Sequence, residues 1–325
     1  MRDHGGDLDR ARAVYGGGDW LDLSTGINRV PYPMPNLAPE ALTALPLGRD
    51  IAAVEKAARA AFGAPQGCEC VALAGASAAI QLLPRLSRRR GTAKVLGPTY
   101  NEHAAALRAA RWTVEEVATL DALDDCSVAV VVNPNNPDGQ RHDPDALLAV
   151  SERVGLLVVD ESFADAAPEL SILPHWGRLR EGALVVVLRS FGKFYGLAGL
   201  RLGFALSYGP LVDDMRRMAG PWAVCGPAIA AGQAAYADTD WQAATTARLA
   251  QDAERMDRLA GQAGWALVGG TTLFRTYATP DAATAQDRLA QGRVWTRRFP
   301  YSDQWLRLGL PGTEAEWRWL AQAMG

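Results

Sequence analysis

The chain has 325 residues, 49% of them hydrophobic and 21% charged, with 33 basic against 36 acidic side chains and a formal net charge of -3. That length suffices for about two domains and a large core, and the composition excludes a disordered chain or a small disulfide scaffold. The charge balance leaves no general basic surface for nucleic acid or an anionic membrane, so the expected partner is a small molecule. Neither the cysteines Cys68, Cys70, Cys126 and Cys225 nor the histidines His4, His103, His142 and His175 show metal-ligand spacing, which argues against a metal enzyme and, for the thiols, points to a reducing cytoplasm. The charged, Gly-rich start lacks the apolar segment of a secretory signal, and no stretch approaches the roughly 18 uninterrupted apolar residues of a membrane span.

The first thirty-odd residues, with Gly5, Gly6, Gly16 to Gly18 and the cluster Pro31, Pro33, Pro35, are expected to form an irregular arm, over 1–35. From there to about 226 short β-branched runs alternate with Ala/Leu/Arg stretches of helical period. Strands are expected at 71–74, 94–96, 127–132, 154–160 and 183–188, with helices over 77–90 and 101–111. The last three strands are apolar nearly throughout, as parallel strands covered on both faces are. Beyond 227 the pattern changes to helix followed by short strands near 265–268, 272–277 and 293–296 and a final amphipathic helix from Thr313, the signature of a smaller α+β domain over 227–325. The fold class is therefore α/β, with a mostly parallel sheet in a large domain spanning 36–226.

Catalytic groups in such sheets lie beyond the carboxyl ends of the strands. Ser190, Phe191, Gly192 and Lys193 follow the run 183–188. A lysine at that mouth can form a Schiff base once desolvation or a neighbouring cation lowers its pKa, and Arg201 downstream can clamp a phosphate. Gly75, Ala76 and Ser77 stand between a strand and a helix, where free backbone N–H groups face an anion; Ser77 reads equally well as a plain helix cap. Asn133 to Gly139 form a tight turn with the Asn136 amide available to a ring hydroxyl or a carboxylate, although turn chemistry alone accounts for the composition. Asp160 ends its strand, as a cofactor ligand or as a helix cap.

Taken together and in this order, these segments resemble fold-type I pyridoxal phosphate enzymes of the class I/II aminotransferase group, in the branch that holds histidinol-phosphate aminotransferases and threonine-phosphate decarboxylases. Asp3, His4, Gly5 and Gly6, followed by Ser24, Ile27 and Asn28, are similar to the start of the threonine-phosphate decarboxylases of cobalamin biosynthesis. The resemblance implies pyridoxal 5'-phosphate as cofactor, Lys193 as the Schiff-base lysine, and Ala76, Ser77, Ser190 and Arg201 as the cup for the cofactor phosphate. It further implies Asp160 at the pyridine nitrogen, Asn136 at the ring oxygen or the substrate, and His103 stacked on the ring. Substrate contacts are implied for Gly5, Gly6, Asn28, Asn136, Arg297 and Arg307, with Arg298 an open alternative to Arg297. A phosphorylated amino acid is the implied substrate, decarboxylation the implied reaction with transamination as the alternative, and a homodimer the implied assembly. Two positions depart from the aminotransferase pattern: Phe163 stands where a Tyr often bonds the ring oxygen, and Leu45 where a Tyr commonly reaches the neighbouring subunit's cofactor phosphate.

Overall fold

The computed structural model describes residues 4–87 and 91–325. Asp3 and the last three residues of the helix expected over 77–90 lie outside that range. The strands in chain order are β1 Leu21–Asp22, β2 Glu69–Leu73, β3 Thr92–Leu96, β4 Thr113–Val117, β5 Val128–Val132, β6 Leu157–Asp160 and β7 Val185–Ser190. They continue with β8 Gly203–Ser207, β9 Ala266–Thr271, β10 Phe274–Ala278, β11 Val294–Trp295, β12 Arg297–Phe299 and β13 Ser302–Gly309.

Seven strands form the large sheet in the order β2-β8-β7-β6-β5-β3-β4. Neighbours from β7 through β4 are parallel, and β8 alone runs against its neighbours β7 and β2. Alternate side chains explain the unbroken apolar runs. Ala129, Val131, Leu157, Val159, Val185 and Val187 feed one core, while Val128, Val130, Val158, Val186 and Leu188 feed a second on the opposite face. With period-2 side chains buried on both faces, each aliphatic residue contributes about 1.5–3 kcal/mol of transfer free energy. The carboxyl ends of β2, β3, β5, β6 and β7 consequently open at one edge, and the candidate residues follow those ends.

The C-terminal sheet is antiparallel, β12-β13-β10-β9, and is backed by the helix Thr239–Gln262. The N-terminal arm is tied to this unit: β1 pairs in parallel with β11, and the helix Leu8–Tyr15 buries Ala11 against Ala290 and Trp295. The boundary expected at 227 falls at the start of a helix, Gly226–Ala237, that packs on Gly48–Ala61 of the large unit. Its Tyr236 meets Phe62, Phe191 and Phe204 edge to face. An Ala-rich helix carries no mark of which neighbour it will cover.

Candidate active site

Lys193 follows β7 within a single helical turn, Phe191–Phe194, whose two phenylalanines are fully buried. These anchors fix the turn and leave Lys193 facing a cavity lined by Gly75, Ser77, Tyr100, Asn136, Asp160, Phe163 and Arg201, among others. Burial lowers the Lys193 pKa from 10.5 to about 8, helped by the positive charges of Arg307, Arg201 and Arg297 and opposed by Asp160. The amine therefore has a substantial neutral, nucleophilic fraction near neutral pH. Its Nζ lies 5.6 Å from the centroid of the Phe163 ring, so the amine faces an apolar ring.

Asp160 is 3% exposed and sits at the end of β6, in register with Val132 and Leu188. Burial pushes its pKa up, but His103 and Ser162 outweigh that push and hold the carboxylate below its ordinary value. His103 Nε2 lies 2.8 Å from one oxygen, and the Ser162 backbone N–H and hydroxyl donate to the other at 3.0 and 2.5 Å. A buried carboxylate supported in this way stays charged.

The expected stacking role of His103 does not match its position. His103 is 1% exposed, behind Asp160, and Tyr100 lines the cavity in its place. The helix Glu102–Ala109 starts two residues after Tyr100, with Asn101 as its cap, so its first turn rotates His103 inward toward the sheet while leaving Tyr100 at the rim, the two rings edge to face at 6.2 Å. A signal for this was present in the chain: a carboxylate at the end of a fully buried strand requires a partner, and His103 is a titratable side chain just beyond the carboxyl end of β3, two strands away in the sheet.

Gly75 precedes the helix Ala76–Leu82 with φ +80°, and a Cβ there would stand 2.7 Å from an Arg201 guanidinium nitrogen. The left-handed φ favours glycine, and the missing Cβ lets the guanidinium approach this closely. Arg201 itself adopts a left-handed conformation, φ +53°, and donates to Ala198 O at 3.1 Å. Ser77 and Ser190 line the same cavity. A cation, two hydroxyls and a helix start at one end, an anionic carboxylate at the other and a depressed lysine between them fit pyridoxal 5'-phosphate, whose phosphate, pyridine nitrogen and carbonyl need those three kinds of group.

Arg307 on β13 donates to Asn136 Oδ1, and to Ser24 O at 2.6 Å. Arg297 on β12 stands directly opposite Arg307 in the strand pairing. Arg298, one residue on, turns to the other side and donates to Gln286 Oε1 at 2.8 Å. Register thus separates two arginines that are equivalent in the sequence, and it is Arg297 that shares a face with Arg307. The arm reaches the same place: Gly6 N donates to Ser24 Oγ at 2.7 Å, Ser24 Oγ donates to Asp22 Oδ1 at 2.6 Å, and His4 Nε2 lies 3.0 Å from Glu102. Asn28 is differently employed. Its amide donates to Phe194 O at 2.9 Å and its oxygen accepts from Val30 N and Arg248, so the side chain braces the segment after Lys193 and does not line the cavity. Tyr100 and Ser162 carry no role in the sequence reading, because a lone Tyr or Ser has no motif, and Ser24 enters it only as part of the arm's resemblance, with no contact assigned.

A lysine after a buried strand, a strand-end aspartate and a phosphate cradle at one edge of an α/β sheet define a pyridoxal-phosphate enzyme of the aminotransferase fold. Residues 49–324 match the aminotransferase class I and II family model, and the chain belongs to that family. Among curated proteins it is 41% identical to a threonine-phosphate decarboxylase of Sinorhizobium sp, over 99% of this chain and 97% of the relative. It is also 41% identical to the threonine-phosphate decarboxylase of Pseudomonas aeruginosa, over 100% of this chain and 97% of the relative. Among solved structures, a histidinol-phosphate aminotransferase from Sinorhizobium meliloti in complex with pyridoxal 5'-phosphate superposes with a TM-score of 0.84 at 20% identity, covering 100% of this chain and 94% of the other. Among the described residues no helix is long and apolar enough to cross a membrane.

Proposed function

We propose that the protein uses pyridoxal 5'-phosphate to decarboxylate O-phospho-L-threonine, releasing CO2 and leaving (R)-1-amino-2-propanol phosphate, a step of cobalamin biosynthesis. The observation that carries this reading is the cross-strand pair Arg297 and Arg307, whose positive charges both act on Lys193. Two planar forks suit a substrate with two anionic groups, each able to take a carboxylate or a phosphate bidentately. The two relatives matched over 97% of their length bear the corresponding name.

When bound, the cofactor supplies an electron sink for the bonding pair released at the substrate's Cα. Arg201, Ser77 and Ser190 hold its phosphate, and the Asp160 carboxylate holds a proton at the ring nitrogen. Tyr100, which lines the same cavity, would lie against the ring, and Asn136, fixed by Arg307, would serve its oxygen or the substrate. Which Cα substituent is lost would depend on which one the protein's residues present to that electron sink. Arg297 and Arg307, by anchoring the two anions, would present the carboxylate as the group to be lost; with the Cα hydrogen presented instead, the same residues would serve transamination. Lys193 Nζ, its pKa lowered to about 8 by burial, is the group placed to return a proton to Cα after CO2 has left. Gly5 and Gly6, docked on Ser24, close the site from the arm side.

The assembly we infer is a homodimer, in keeping with the exposed apolar side chains Leu42, Leu45, Leu47 and Trp222, and the compartment is the cytoplasm, in keeping with four free thiols. The deciding experiment supplies O-phospho-L-threonine alone and assays CO2 and aminopropanol phosphate, then supplies histidinol phosphate with 2-oxoglutarate and assays glutamate. Turnover is expected in the first assay. Turnover confined to the second would replace decarboxylation with transamination and leave the fold and cofactor intact.

A further inference from the structure

The cations of the site are interleaved with aromatic rings. Lys193 lies over Phe163, which meets Phe274 edge-on at 5.0 Å. Arg307 lies 5.2 Å from the centroid of Phe274 and 6.0 Å from that of Phe299, and Arg297 lies 5.0 Å from the centroid of Phe299. Phe299 is thus the one ring in this series within reach of both guanidinium groups.

Three features hold Phe299 in place. It is the last residue of β12, where the register against β13 shifts and the strand turns back within three residues. It is 5% exposed. Tyr301 stacks on it, centroids 5.5 Å apart and planes at 27°. The ring therefore has a fixed position, while the two arginines across the strand pair are like charges: Arg307 is tied to Asn136 and Ser24 O, and the ring is a contact that it shares with Arg297. A carboxylate between them would hold them together but cancel the charge needed for substrate. An aromatic quadrupole attracts each cation without neutralising either.

We propose that Phe299 is a specificity-determining positioning residue, its ring setting the spacing and orientation of Arg297 and Arg307 so that both anionic groups of one substrate are received at once. This rests on the reading in which those arginines take the carboxylate and the phosphate. It predicts a loss on removal of the ring that is larger for a ligand with two anions than for a ligand with one. Replacement by another apolar side chain leaves the arginines present but no longer aligned.

The test uses the holoenzyme and isothermal calorimetry with 3-phosphooxybutanoate, which keeps both anions of phosphothreonine but lacks the amine and cannot react. Phe299→Leu is expected to weaken its binding by about tenfold, with inorganic phosphate weakened by less than about threefold, and Phe299→Tyr to stay within about twofold of the native protein. In turnover of O-phospho-L-threonine the leucine variant is expected to raise KM more than it lowers kcat. Cofactor absorbance reports whether each variant is folded, and Phe299→Met gives the same comparison if the leucine variant is not. Affinity for the two-anion probe within twofold of native in the leucine or methionine variant overturns the proposal alone, as does a tyrosine variant as weak as the leucine one. A native protein that binds neither this probe nor O-phospho-L-threonine overturns the underlying reading of the arginines, and the proposal with it.

Discussion

His103 and Asp160 are joined by a 2.8 Å contact between side chains that are each almost completely buried. A hydrogen bond to a charged group is worth about 1.5–3 kcal/mol, and removing one partner of a buried charge costs more than never having had the pair. His103→Ala is therefore expected to raise the Asp160 pKa and to weaken pyridoxal 5'-phosphate binding by about tenfold or more. Absorbance titration of the cofactor-free variant measures this, and an unchanged dissociation constant would show that His103 has no part in holding the ring.

Lys193 makes the cofactor-free protein pH-dependent in a definite direction. Its pKa in the fold is about 8 against an ordinary 10.5, so the folded state holds the charged form at a cost. Below pH 8 that cost is present in full; between 8 and 10.5 the unfolded chain binds the additional proton, and native stability rises with pH. Lys193→Met should stabilise the cofactor-free protein at pH 7 by up to about 3 kcal/mol, and the gain should shrink to nothing above about pH 10.5. Denaturant melts at three pH values decide it. A gain that does not vary with pH would assign the stabilisation to packing. The same variant should lose the borohydride-reducible link to the cofactor.

How much of this was legible in the chain depended on what each residue signals locally. The strands β5, β6 and β7 were readable because a strand buried on both faces must be apolar throughout. β4 was not: it is an edge strand of exposed Thr113, Glu115 and Glu116, with nothing to distinguish it from a polar loop. β8 and β13 were also missed, the first hidden behind the Lys193 motif and the second carrying Asp303 and Arg307 within eight residues. Residues set by chain direction, such as Lys193 and Asp160 beyond the ends of apolar runs, were placed beside the cavity. Residues set by rotation or register were not. Tyr100 and His103 exchange places on the turn of a helix, and Arg297 separates from Arg298 only once β12 is paired with β13.

Arg201 offers a test in which backbone and side chain act in opposite directions. Its φ of +53° is costly for any residue with a Cβ, while its guanidinium fills the space beside Gly75. Arg201→Gly relieves the backbone and removes the cation. The expected outcome is a cofactor-free protein within about 1 kcal/mol of the native stability that binds pyridoxal 5'-phosphate roughly tenfold or more weakly. Equal cofactor affinity would exclude Arg201 from the phosphate cup.

The arm tests whether closing the site and holding the cofactor are separable. Gly6 has φ +87° and donates its N–H to Ser24 Oγ, and a Cβ on Gly5 would lie 2.2 Å from Ser24 O, the carbonyl that also accepts from Arg307. A β-branched side chain at Gly6 is excluded from that conformation by its own backbone, so Gly6→Val should lift the arm off Ser24 while leaving Lys193, Asp160 and Arg201 in place. The expected result is native cofactor content with the KM for O-phospho-L-threonine raised about tenfold or more. Gly17→Val, with no heavy atom within 4 Å of its added Cβ, controls for a bulky residue in the same arm and should change little. Loss of cofactor in Gly6→Val would mean that the arm supports the cofactor cup itself, and native kinetics would mean that the arm does not reach substrate at all.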